Sequence, residues 1–246
     1  MRIGIDVGGT NTDAVLMDGR IVAGWAKSPT TKDVSSGITN VLTDLLAKSQ
    51  VSPDRIDAVM LGTTHFTNAV VERRNLSRTA VLRLGLPATA ALRPFVEWPL
   101  DLVQAIGGVS YLVHGGYEFD GRPIAPLNDA EIREAAHKIA DQGFTSVAIS
   151  SVFSPVNPDQ EQHAAALVAE AIPGARISLS HEIGRIGLLE RENAAAMNAC
   201  LSVLAEQIVN SFRSALAGLG IKDPFFISQN DGTLMSAEWV EKYPVL

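Results

Sequence analysis

The chain has 246 residues, 46% of them hydrophobic, which is enough for a packed core and excludes a disordered chain. Its 20 Lys plus Arg against 27 Asp plus Glu give a net charge of −7, which argues against a nucleic-acid partner, because phosphate backbones are held by clustered basic side chains. The lone Cys200 excludes an intrachain disulfide and a cysteine-built metal site. With no apolar run near the roughly 20 residues that span a bilayer, a cytoplasmic protein with no membrane partner is expected.

The chain opens with a β-rich run over residues 2–7 and a second over 13–17, separated by the turn signal Gly8-Gly9-Thr10-Asn11-Thr12. Asp18-Gly19 reads as a hairpin turn into a third strand over 20–26. Val34, Ile38, Val41, Leu42, Leu45 and Leu46 form a helical stripe over 33–50, with Asp33 as its cap. A strand over 56–61 ends at Gly62-Thr63-Thr64, followed by a short helix over 66–74 and a strand over 79–84. Pro87, Pro94, Pro99 and Gly107-Gly108 predict an irregular stretch, and within 111–124 turns are expected at Gly115-Gly116 and Asp120-Gly121. Helices at 129–142 and 159–171 then alternate with strands at 146–153 and 176–180. A long helix over 188–219 leads to a strand at 225–228, the turn Asn230-Asp231-Gly232, and a final helix stopped by Pro244. Alternating strands and helices predict an α/β architecture, with a boundary near residue 180.

The richest chemistry lies in Asp6-Val7-Gly8-Gly9-Thr10-Asn11-Thr12-Asp13. Gly8 and Gly9 let the backbone approach a bulky anion and turn N–H groups toward it. Thr10, Asn11 and Thr12 add hydroxyl and amide donors, and Asp6 is placed to hold Mg²⁺ through water. The context is strand–loop–strand, so this is neither a Walker A loop nor the dinucleotide fingerprint. Thr63, Thr64, Thr67 and Asn68 form a second polar cluster where a strand end opens a helix, a place suited to a ligand or to simple capping. His65 beside them reads first as an ordinary polar residue. Glu190 and Arg191 begin the long helix, either as a solvated ion-paired end or as cleft residues. Cys200, mid-helix among Ala and Leu, reads as a buried thiol.

The glycine loop resembles the first phosphate loop of the actin, chaperone and sugar-kinase superfamily. Further stretches narrow the resemblance. Pro29-Thr30-Thr31-Lys32-Asp33-Val34-Ser35-Ser36-Gly37-Ile38 and Gly62-Thr63-Thr64-His65-Phe66-Thr67-Asn68-Ala69 are similar to segments of the hydantoinase A and 5-oxoprolinase family, as is Leu189-Glu190-Arg191-Glu192-Asn193 in its helix. Departures are Asn11 in place of an aromatic residue, the composition of 86–108, and Asn230-Asp231-Gly232 in place of Ser-Asn-Gly-Gly.

The resemblance implies a ribonuclease H-like first lobe with a mixed sheet, an N-terminal family domain over 1–180, and the incomplete start of a second domain over 181–246, the chain being truncated before the second lobe is finished. It implies an ATP-dependent amidohydrolase with Mg²⁺, which opens a cyclic amide or imide by phosphorylating its carbonyl oxygen. Asp6 and Thr10 would then be catalytic. Gly8, Gly9, Thr10, Asn11 and Thr12 would cradle phosphate, and Thr63, Thr64, Asn68, Glu190 and Arg191 would face substrate. A homo-oligomer and a second hydrolase subunit are the partners implied, and the truncated chain alone would be inactive. Three other functions on the same fold stay open: the ATP-binding subunit of a ketone carboxylase, a glucokinase-type sugar kinase, and a non-enzymatic nucleotide-dependent activator.

Overall fold

The computed structural model describes residues 1–31, 34–222, 224–229 and 231–246. The expected cap Asp33 and the turn residue Asn230 lie outside the described residues, as does the side chain of Val34. Packing divides the chain into two units, Met1–Val71 with Leu204–Pro244 and Leu246, and Glu72–Val203 with Val245. These cuts fall at 71/72 and 203/204, whereas the sequence reading sets a segment boundary near 180. Helix α7 (Leu188–Gly218) crosses the second cut without a break and supplies core residues to both units.

Unit 1 is built on a six-stranded mixed sheet in the order β10-β9-β4-β1-β2-β3. Its strands are β1 (Arg2–Val7), β2 (Asn11–Asp18), β3 (Ile21–Pro29), β4 (Ala58–Thr63), β9 (Phe225–Ser228) and β10 (Leu234–Ser236). The first three form antiparallel hairpins, and β4 runs parallel to both β1 and β9. Strict alternation puts Ile3, Ile5, Val7, Ala14 and Leu16 on one buried face. That face packs on Ile38, Val41, Leu42 and Leu45 of α1 (Val34–Ser49) and on Val209, Phe212 and Leu216 of α7. The opposite face carries Gly4, Asp6, Asp13, Val15, Trp25 and Met60, which line a cavity of about 520 Å³. Trp25 there is 70% exposed.

Unit 2 holds a four-stranded sheet in the order β6-β5-β7-β8, parallel throughout. Its strands are β5 (Thr79–Leu86), β6 (Val109–His114), β7 (Ser146–Ser151) and β8 (Arg176–Leu179). Helices α4 (Asp129–Asp141) and α5 (Asp159–Ala171) cover one face through Ile132, Ile139, Leu167 and Val168. The central strands β5 and β7 are buried residue after residue, as strands covered on both faces must be. Most of their polar side chains are therefore paired, although Ser151 Oγ has no partner among the described residues. Arg83 donates to both oxygens of Glu192 at 2.7 and 2.5 Å, Ser150 donates to the same carboxylate at 2.6 Å, and the pair is 0% and 1% exposed. Cys200 is buried, and burial pushes its thiol up to about 12.

Several elements differ from the sequence reading. The sequence reading marks turns at Gly115-Gly116 and Asp120-Gly121 but no strand before them, where the half-buried edge strand β6 runs between Gly107-Gly108 and Gly115-Gly116, whose glycines dominate the local pattern. The irregular stretch holds the short helix α3 (Leu100–Ala105) behind Pro99. Helix α6 (Ser180–Ile183) and strand β10 are too short to display a period. Among the described residues, no helix is long and apolar enough to cross a membrane.

Candidate functional site

Strand β1 ends at Val7 and β2 begins at Asn11, so Gly8, Gly9 and Thr10 form the tip of the first hairpin. Gly8 N–H donates to the Asn11 carbonyl at 3.0 Å and closes the turn. The turn is then held from the end of β3. Thr30 N–H donates to the Thr10 carbonyl at 2.9 Å, and Thr30 Oγ1 donates to the Gly8 carbonyl at 2.8 Å. Gly9 and Thr10 are exposed, while Gly8 and Asn11 are half-buried. A Cβ built on Gly8 would lie 3.1 Å from the Asn11 carbonyl oxygen, whereas one built on Gly9 meets nothing within 4 Å. Gly9 thus faces open space on the outer side of the loop.

Thr12 sits differently from the expectation. Because β2 begins two residues earlier than read, Thr12 shares the inward face with Ala14 and Leu16 and is 1% exposed. Its hydroxyl, expected among the phosphate donors, lies 3.2 Å from Thr30 Oγ1 instead.

Asp6 alternates to the open face, next to Thr10's end of the hairpin. It stands opposite Asp13 on β2 and beside Gly62 on β4, and Asp13 in turn stands opposite Lys27 on β3. Lys27 Nζ reaches Asp13 Oδ1 at 3.2 Å. Among the described residues, no basic side chain pairs with Asp6. One carboxylate of the row is paired from within the chain, and the other is exposed and has no basic partner among the described residues. An exposed carboxylate beside an open glycine turn and a threonine hydroxyl is a donor set that suits a hard divalent cation carrying phosphate. The cavity on this face includes Asp6, Asp13 and Gly62 in its lining, but not Gly8, Gly9 or Thr10. The loop lies at the strand ends and is not part of that cavity.

The second polar cluster lies beside the first. Thr63 closes β4 in register with Val7 of β1, and helix α2 (His65–Glu72) follows. Thr63 Oγ1 accepts from the His65 N–H at 3.3 Å and lies 2.6 Å from His65 Nδ1. Burial holds the His65 pKa below its ordinary value. Asn68 Nδ2 donates to Thr64 Oγ1 at 3.2 Å, and Thr64, Thr67 and Asn68 are exposed.

Glu190 and Arg191 belong to unit 2. Glu190 is exposed, but Arg191 is 1% exposed, against the expectation of a substrate-facing side chain. Arg191 donates through Nε to Ser180 Oγ at 2.8 Å, through Nη1 to the Arg185 and Ile186 carbonyls at 2.9 Å, and through Nη2 to the Ser151 carbonyl. Ser180 also donates to Glu161, which His181 caps through its N–H and ring at 3.1 and 2.6 Å. Burial pushes the Glu161 carboxyl up, but the hydrogen bonds from His181, Ser154 and Ser180 outweigh it and hold the group below the usual carboxylate range. The physical reason for the departure is that a buried guanidinium must spend its donors on fixed acceptors, here mostly carbonyls of the turn before α7.

Sequence reasoning assigned no role to Thr30, Asp13 or Lys27. Thr30 carried a signal in the Pro29-Thr30-Thr31 stretch, and Asp13 in flanking the loop, but their partners emerge only with the strand register.

The family model of the hydantoinase/oxoprolinase N-terminal region matches residues 2–172. The chain is 29% identical over 255 residues to the caprolactamase subunit alpha of Pseudomonas jessenii, covering 95% of this chain and 36% of that protein. Among solved structures, the ATP-dependent caprolactamase from Pseudomonas jessenii aligns with a TM-score of 0.80 at 27% identity, over 96% of this chain and 36% of that one. A nucleotide-free acetone carboxylase shares the fold, with a TM-score of 0.81 at 18% identity over 99% of this chain and 38% of the other. The chain spans about a third of the length of these relatives.

Proposed function

This chain belongs to the hydantoinase/oxoprolinase family, and on that premise we propose that it supplies the first phosphate grip and the metal carboxylate of an ATP-dependent enzyme that opens a cyclic amide. The observation that carries this reading is the braced, outward-facing turn Gly8-Gly9-Thr10 with the exposed Asp6 carboxylate beside it.

An amide carbonyl is a weak electrophile, and transfer of a phosphoryl group to its oxygen makes the carbon open to water. Phosphoryl transfer asks a protein mainly for positioning and for charge placed where negative charge develops. Gly9 N–H and Thr10 Oγ1 would bind phosphate oxygens, and Asp6 would hold Mg²⁺ through water. The ion, when bound, supplies positive charge to the phosphate tail. Thr64 and Asn68 offer exposed hydroxyl and amide groups next to the grip, suited to a polar substrate. The relatives that support this reading include caprolactamases, one of them ATP-dependent by name. The two family segments, 1–180 and 181–246, and a partner hydrolase subunit belong to the same proposal.

The test is ADP release by the full-length protein with Mg-ATP against caprolactam, 5-oxoproline, a hydantoin and a ketone with bicarbonate. Release that depends on a cyclic amide supports the proposal. Release with the ketone and bicarbonate alone would move the chain to carboxylase chemistry, and release that needs no added substrate would refute coupling to amide opening.

A further inference from the structure

We propose that Thr30 is a positioning residue for the phosphate loop, holding the Gly8–Gly9 peptide so that the Gly9 N–H faces the incoming phosphate. The inference rests on the nucleotide reading above and assigns the mechanical support of that site.

Thr30 is far from the loop in sequence, yet it makes two of the bonds that shape it, one from its backbone to the Thr10 carbonyl and one from its hydroxyl to the Gly8 carbonyl. A threonine hydroxyl has one proton. Since that proton goes to Gly8, the contact between Thr12 Oγ1 and Thr30 Oγ1 must be donated by Thr12. The result is a directed chain, Thr12 to Thr30 to the Gly8 carbonyl, with its first member 1% exposed and fixed by strand β2. Such chains polarise one another and resist rotation of any single hydroxyl.

The consequence for the loop follows from peptide geometry. Among the described residues, the only cis bond is Leu86–Pro87, so the Gly8–Gly9 bond is trans. In a planar trans peptide the carbonyl and the following N–H point in opposite directions. Pinning the Gly8 carbonyl on Thr30 therefore turns the Gly9 N–H away from Thr30, at an exposed residue of the turn. A free Gly-Gly turn would sample the flipped peptide, which would aim a carbonyl oxygen at an anion. Helix α1 abuts the same support, because a Cβ on Gly37 would lie 3.0 Å from Thr31 Oγ1 and 3.8 Å from Thr12 Oγ1.

The experiment titrates a non-hydrolysable ATP analogue with Mg²⁺ into the full-length protein and its Thr30→Val and Thr30→Ser variants, and follows the Gly9 amide by selective glycine ¹⁵N labelling. Thr30→Val is expected to bind at least tenfold more weakly, Thr30→Ser within about twofold of the parent, and the Gly9 amide of the parent to shift downfield on binding. Binding by Thr30→Val within twofold of the parent would overturn the role of Thr30 and leave the nucleotide site standing. Failure of the parent itself to bind would overturn the nucleotide reading. Should Thr30→Val not fold, the Gly9 amide of the parent still decides, since an amide unmoved at saturation contradicts the proposed orientation.

Discussion

Asp6 and Asp13 stand directly opposite one another across the β1–β2 ladder, two carboxylates on one open sheet face, with Lys27 paired to Asp13 alone. Like charges in such a position destabilise a sheet by roughly 0.2–1 kcal/mol. Asp6→Asn should therefore leave the melting temperature unchanged or slightly raised while ATP turnover falls at least hundredfold, equivalent to about 2.7 kcal/mol of lost transition-state stabilisation. Calorimetry and an ADP-release assay on the same preparation check both halves. Normal turnover in the variant would remove Asp6 from the mechanism.

The two glycines of the turn should separate fold from function. Gly8→Ala places a methyl group 3.1 Å from the Asn11 carbonyl oxygen, a backbone atom that can yield little, so a loss of about 1–3 kcal/mol in stability is expected. Gly9→Ala meets no protein atom within 4 Å and should melt like the parent, yet bind nucleotide more weakly because its methyl group occupies the phosphate side. Equal nucleotide affinity in Gly9→Ala and the parent would mean that the phosphate does not approach there.

The buried pair Arg83–Glu192 sits on the central strand of unit 2 and on α7. Arg83→Met should cost about 3–5 kcal/mol in denaturant unfolding, because it leaves Glu192 buried with Ser150 as its remaining donor among the described residues. Combining it with Glu192→Leu and Ser150→Ala should recover much of that loss. A single variant as stable as the parent would contradict the burial.

The β1–β2 hairpin and the glycine turn between its strands were legible in the sequence because they depend on neighbours: a period of two, a Gly-Gly turn and an acidic residue at the strand end. The 3.6-residue period likewise revealed α4, α5 and α7. What the sequence hid depends on register between distant strands. Nothing local marks Thr12 as inward-facing until β2 is known to start at Asn11, and nothing local ties Thr30 to Gly8. Arg191 was ambiguous for a similar reason, since an Arg in the first turn of a helix looks solvent-exposed unless the turn before it folds back over the side chain. Strand β6 was obscured because its glycine borders outweighed its modest alternation.

His65 gives the polar cluster a pH dependence with a defined sign. Burial favours the neutral ring and holds its pKa below the ordinary 6.5. Its contribution to stability is thus fully present above 6.5 and is lost as the pH falls below that value, where the unfolded chain takes up a proton before the folded one does. The melting temperature should drop between pH 7.5 and 5.5, and the drop should be smaller in His65→Gln. An identical drop in both proteins would place the titration elsewhere.

The most direct measurement is a crystal structure of the full-length protein with magnesium and a non-hydrolysable ATP analogue. The phosphate tail is expected against Gly9 N–H and Thr10 Oγ1, with the metal's water shell touching Asp6. An ordered triphosphate anywhere other than this hairpin tip would contradict that placement.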